Sequence, residues 1–101
     1  MSLQRQRGNA TERAIAARLG GERRGQYGGE DVSTVGYSIE VKSRKTLPQW
    51  LVDAVDQAHT HAPDGKLALV VLHELGERHD NDLVVVRLGE FAEWFGETEE
   101  K

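Results

Sequence analysis

Apolar and polar positions along the 101-residue chain change period several times, and each change marks an element. Ile15, Ala16 and Leu19 lie three, four and seven residues after Glu12, the spacing of one helix face. Asn9 stands where it can cap that helix, and Gly20-Gly21 where it stops. The eight residues before Asn9 are basic and polar, and they read as a loose arm. Glu22 to Tyr27 predicts a short strand and Gly28-Gly29 a turn. Asp31 to Val35 and Tyr37 to Ser43, on either side of Gly36, predict a β-hairpin. Leu51, Val52, Val55 and Ala58 return to helical spacing, up to about Thr60, with Pro48 where a first turn tolerates it. Pro63-Asp64-Gly65 predicts a turn. Leu67 to Leu72 is an uninterrupted apolar run, the pattern of a strand covered on both faces, and Leu83 to Leu88, apolar except for Arg87, predicts a second buried strand after a polar connection. Gly89 to Phe95 predicts a last helix with Phe91, Trp94 and Phe95 on one side, and residues 97–101 a frayed tail. The order α-β-β-β-α-β-β-α predicts an α/β fold, a mixed sheet flanked by helices, in a single domain over 1–101.

Composition changes this picture in two ways. There are no cysteines, so disulfides and thiolate metal sites are excluded. The N-terminus has no apolar core, and the longest apolar run is far short of a membrane span, so a soluble, cytoplasmic protein with no membrane role is the expectation. Second, the net charge of −4 is unevenly distributed. Residues 1–50 carry nine Lys/Arg against five Asp/Glu, a balance of +4, and residues 51–101 carry four against twelve, a balance of −8. A basic half leaves room for a nucleic-acid partner that a uniformly acidic chain would repel.

The chemistry concentrates in that basic half. Alternation over Tyr37–Ser43 puts Ile39 and Val41 on one strand face, with Ser38, Glu40 and Lys42 on the other. Asp31 opens the preceding strand, and antiparallel pairing through the Gly36 turn brings it close to Glu40 and Lys42. Two carboxylates beside a lysine suit a hard, oxygen-ligated cation, Mg²⁺ or Mn²⁺, better than zinc. A solvent-facing ion pair and a turn aspartate are the plainer reading of the same letters. Glu12 completes a capping box with Asn9, and it also ends the core-facing stripe, where a metal would partner it. Both roles are open to it. Gln57, in the helix after the Glu-x-Lys strand, can orient a water or touch a phosphate, and Gln49 competes for that role. His59-x-His61 do not share a helix face, and no histidine spacing, His73 and His79 included, is that of a zinc site. Surface roles are expected for all four.

Glu12 in a first helix, Asp31, then Ile39-Glu40-Val41-Lys42-Ser43-Arg44-Lys45, then a helix carrying Gln57, resembles the PD-(D/E)XK nuclease superfamily. With a basic arm before the first helix, the chain is similar to archaeal-type Holliday junction resolvases over residues 5–72, although Glu30 stands where the motif has proline. The resemblance implies a restriction-endonuclease-like core and metal-dependent hydrolysis of DNA, with four-way junctions as substrate. It implies that Asp31 and Glu40 ligate Mg²⁺ (or Mn²⁺) with the Val41 carbonyl, that Lys42 serves the attacking water, and that Glu12 acts through a water or a second metal. Arg44 and Lys45, with Arg5, Arg7, Arg23 and Arg24, are candidate phosphate contacts. A homodimer suits a task in which two symmetric strands are cut, and Trp94, Phe91 and Phe95 are candidates for core or subunit contact. Rival readings are a nicking, repair or restriction-type nuclease of the same fold and a non-catalytic DNA-binding module.

Overall fold

Leu3 to Arg7 are all good helix formers, and nothing in that stretch opposes winding the helix through them. In the computed structural model, which describes residues 3–24 and 29–96, helix α1 spans Leu3–Leu19. The expected loose arm is therefore helix from Leu3 onward. Gly8 lies inside it, at a local cost of about 1 kcal/mol relative to alanine. Asn9 is consequently an interior residue and not a cap, and Glu12 is not part of a capping box. Strands β1 (Glu22–Arg23), β2 (Val32–Ser33) and β3 (Ser38–Ile39) follow. Then come helix α2 (Gln49–His61), strand β4 (Val70–Leu72), a 3₁₀ turn (His79–Asn81), strand β5 (Leu83–Val85) and helix α3 (Leu88–Phe95). The fold is mixed α and β, in the expected element order. The expected frayed tail over 97–101 and the residues Tyr27 and Gly28 lie outside the described residues.

The chain divides into two compact units, Met1–Lys45 with Phe95–Lys101, and Thr46–Trp94. In the first, β1, β2 and β3 form an antiparallel sheet in that order, with Arg23 opposite Val32 and Val32 opposite Ile39. Helix α1 packs on β1 and β2 through the expected stripe, so that Ala16, Leu19 and Val32 are buried. Gly20, at φ 73°, turns the chain out of the helix, and the Gly21 N–H donates to the Ala16 carbonyl at 2.8 Å. That is the left-handed helix stop expected of a Gly-Gly pair. The hairpin forms, but its ladder is shorter than the alternation suggested. Its turn is closed by the Thr34 hydroxyl, which accepts the N–H groups of Gly36 and Tyr37 at 3.2 and 2.9 Å. Glu40 to Ser43 lie beyond the end of β3.

In the second unit, Pro48 stands immediately before α2, and Leu51, Val52, Val55 and Ala58 form its less exposed stripe. Strands β4 and β5 pair antiparallel, Val70 with Val85 through Leu72 with Leu83. The apolar runs do not become strands covered on both faces. Val71 and Val84, opposite each other in the ladder, remain 58% and 59% exposed. Among the described residues the strands form two antiparallel sheets and not one mixed sheet. The connection from β4 to β5 explains the local pairing, since a parallel partner needs a crossover of about a dozen residues or more. His59 meets Glu90 at 2.8 Å and Arg87 bonds Asp56, so polar contacts tie α2 to the segment around α3. Ala92 is buried, while Trp94 and Phe95 are about half exposed. No helix among the described residues is long and apolar enough to cross a membrane.

Candidate metal and nucleic-acid site

The antiparallel register that pairs Val32 with Ile39 brings Asp31 to the position facing Glu40. The Asp31 N–H donates to the Ile39 carbonyl at 2.9 Å. One residue further on, its side chain takes over from the backbone, and Asp31 Oδ2 accepts the Val41 N–H at 2.7 Å. A short acidic side chain at a strand end makes this substitution readily. It fixes the Asp31 carboxylate against the Glu40-Val41-Lys42 segment. Lys42 Nζ lies 3.5 Å from Glu40 Oε2, and both side chains are mostly exposed. Asp31, Glu40, Val41 and Lys42 are therefore neighbours, as the hairpin reading required.

Glu12 is placed differently. Its Oε1 accepts from Arg23 Nε at 2.9 Å, and Arg23 Nη2 also donates to the Asn9 side-chain oxygen at 2.7 Å. The acid at the end of the core-facing stripe thus finds its partner in a β1 arginine. Asn9, Glu12 and Arg23 form one polar clasp between α1 and β1, and Arg23 is committed within the fold. Among the described residues, Glu12, Asp31 and Glu40 do not gather as a group of three candidate ligands. Glu30, in the position before Asp31, is held below its ordinary pKa of 4.5 by hydrogen bonds from Ser38 and then Ser33, with Arg24 adding a favourable charge. This ties the start of β2 to β3, next to the site.

Gln57 lies on the exposed side of α2, off its apolar stripe, and Gln49 Nε2 donates to Asp53 Oδ1 at 2.8 Å. Arg24, Arg44 and Lys45 are exposed. Arg44 donates to the neighbouring Ser43 carbonyl, and Arg24 reaches Glu22 at 4.0 Å, so both heads stay at the surface. Arg5 and Arg7 lie in the first turns of α1, and their side chains lie outside the described residues.

One cluster was not anticipated. Asp82 Oδ1 lies 2.6 Å from His73 Nδ1 and its Oδ2 3.1 Å from His79 Nδ1, and the two imidazole rings stack with centroids 4.4 Å apart. Among the described residues, these three make the group able to hold a metal ion. The sequence signal for them is register, not spacing. If the two apolar runs pair as a hairpin, the residues flanking them, His73 and Asp82, fall opposite each other.

No family model matches the chain, and neither does any curated protein or solved structure.

Proposed function

We propose that the chain is a divalent-metal-dependent DNA endonuclease of the PD-(D/E)XK type, with four-way junctions as its substrate. The observation that carries this reading is the hairpin cluster, with Asp31 across the register from Glu40, bonded to the Val41 N–H, and Lys42 beside Glu40. Two carboxylates and the Val41 carbonyl are an all-oxygen donor set, which fits Mg²⁺ or Mn²⁺. When bound, such an ion polarises a phosphate oxygen and lowers the pKa of a coordinated water. The protein's own contribution is positional and electrostatic. Asp31 is held by the Val41 N–H, Glu40 is steadied by Lys42, and the Lys42 ammonium offsets charge developing on the phosphate. Because Glu40 and Lys42 are exposed, a DNA strand can reach them without an opening step. Arg24, Arg44 and Lys45 supply the surrounding positive field. Glu12 enters only by exchanging Arg23 for another partner. Two such sites, one per subunit of a homodimer, suit paired cuts in a two-fold symmetric junction.

The second reading, a DNA-binding module without cleavage, is favoured by one observation: no third acidic group joins Asp31 and Glu40 among the described residues. A denaturing gel separates the two. Labelled four-way junction and matched linear duplex are incubated with Mg²⁺, Mn²⁺ or chelator. Metal-dependent cleavage that favours the junction is expected, with a loss of at least ~10²-fold in Glu40→Gln and in Lys42→Ala. Binding with no cleavage by the wild-type chain in either metal would establish the second reading.

A further inference from the structure

The cluster at the β4–β5 connection is independent of the nuclease reading, and its donor chemistry is different. His73 directly follows β4 and Asp82 directly precedes β5, so the ladder that pairs Leu72 with Leu83 continues to set them face to face. The connection folds back through successive backbone turns. Glu77 N–H donates to the Glu74 carbonyl, Asn81 N–H to Arg78 and Asp82 N–H to His79, with Gly76 at φ 91° allowing the reversal. These turns stack the His79 ring on the His73 ring and aim both Nδ1 atoms at one carboxylate. The Asp82 side chain is only 11% exposed, whereas that of His79 is 83% exposed. A mostly buried acid is thus met by a ring that the backbone brings to it from solvent.

We propose that His73, His79 and Asp82 form a binding site for a late first-row divalent ion of the zinc class. Two imidazole nitrogens and one carboxylate oxygen are a borderline donor set that suits Zn²⁺ and its neighbours and is poor for Mg²⁺. A tetrahedral ion with bonds of ~2.0–2.1 Å spaces its ligand atoms ~3.3 Å apart, so the observed contacts need to open by less than ~1 Å to admit one. Each ring then presents Nδ1 to the metal and carries its proton on Nε2. Three protein ligands leave one position for water. The cluster borders a cleft of about 380 Å³ that Glu74 and Glu77 also line, and their carboxylates favour a cation there. The ion would pin the connection to the ends of both strands.

The test uses the untagged full chain, titrated with Zn²⁺ by calorimetry and with Co²⁺ for its visible absorption. One ion per chain is expected, with Zn²⁺ displacing Co²⁺ and raising the melting temperature, because only the folded state assembles the three ligands. His79→Ala and Asp82→Asn should weaken Zn²⁺ binding by at least ~10²-fold, since even indirect partners of a metal site are worth up to that much. His79 is largely exposed, so His79→Ala keeps the fold, which circular dichroism checks. His61→Ala should bind as wild type does. Glu40→Gln should keep Zn²⁺ binding in full while losing Mg²⁺-dependent cleavage, which separates this site from the hairpin cluster. Absence of Zn²⁺ uptake by the folded wild-type chain, or equal Zn²⁺ affinity in wild type and His79→Ala, overturns the proposal.

Discussion

Glu30 shows how much a single half-buried residue can report. Hydrogen bonds from Ser38 and Ser33 favour its ionised form, so its pKa in the folded chain lies below the ordinary 4.5. Between those two values the unfolded chain binds more protons, so stability rises with pH through that window. The contribution is therefore complete above about pH 4.5 and is lost as the pH falls through the folded value. Glu30→Gln should melt below wild type at neutral pH, and the gap should shrink at a pH well below 4.5. Ser38→Ala should remove most of the same gap without touching the carboxyl. If the two proteins differ equally at both pH values, the hydrogen bonds are not what Glu30 contributes. A proline at position 30 could not carry the acceptor that draws β3 toward the start of β2.

At the scale of elements, the α1–β2 contact makes two glycines behave in opposite ways. A Cβ on Gly21 would stand 2.5 Å from the Ser33 carbonyl oxygen and 2.7 Å from Thr34 Cγ2. The nearest atom is backbone of a paired strand, which cannot yield cheaply. Gly21→Ala should destabilise by ~1–3 kcal/mol, read as a fall of several degrees in melting temperature. A Cβ on Gly8 meets nothing within 4 Å, and Gly8 lies inside α1. Gly8→Ala should stabilise by ~0.5–1 kcal/mol. Melts of both variants that move in the same direction would contradict this account. The same contact shows what was legible beforehand. The stripe Glu12, Ile15, Ala16 and Leu19, the Gly-Gly stop and the Leu51 to Ala58 stripe depend on local periodicity, and the fold keeps them. The arm did not read correctly because helix propensity, not amphipathicity, carries α1 through Gly8. The hairpin strands read too long because the Thr34 hydroxyl and the Asp31 carboxylate replace backbone partners at both ends of the ladder, and alternation cannot register that. The Glu12–Arg23 pair joins residues on different elements, so neither letter announces the other. The histidine cluster needs the β4–β5 register before it exists at all.

For the whole molecule, the proposed function turns on which positive charges remain available to a DNA partner. The basic half of the chain has a surplus of +4, but the structure does not leave all of it free. Arg23 is engaged by Glu12 and Asn9, whereas Arg24, Arg44 and Lys45 are exposed. Charge count and charge availability therefore diverge, and they can be measured separately. Binding to a fluorescent junction is followed over a range of salt concentrations. Each phosphate contact contributes about −0.9 to the log–log slope on duplex arms. Arg44→Ala combined with Lys45→Ala should weaken binding and make the slope shallower by about 2, with the melting temperature unchanged. Arg23→Ala should do the converse. It removes the partner of a half-buried carboxylate, so the melting temperature should fall. Its salt slope should stay at the wild-type value once binding is measured below that temperature. The acidic half, with its surplus of −8, makes a further distinction possible. If the basic half alone faces DNA, substituting exposed acids such as Asp64 in the second unit should leave the salt slope unchanged, since no phosphate contact is gained or lost. A double mutant at Arg44 and Lys45 that keeps the wild-type slope, or an Arg23→Ala protein that loses slope without losing stability, would mean that a different surface meets the phosphates.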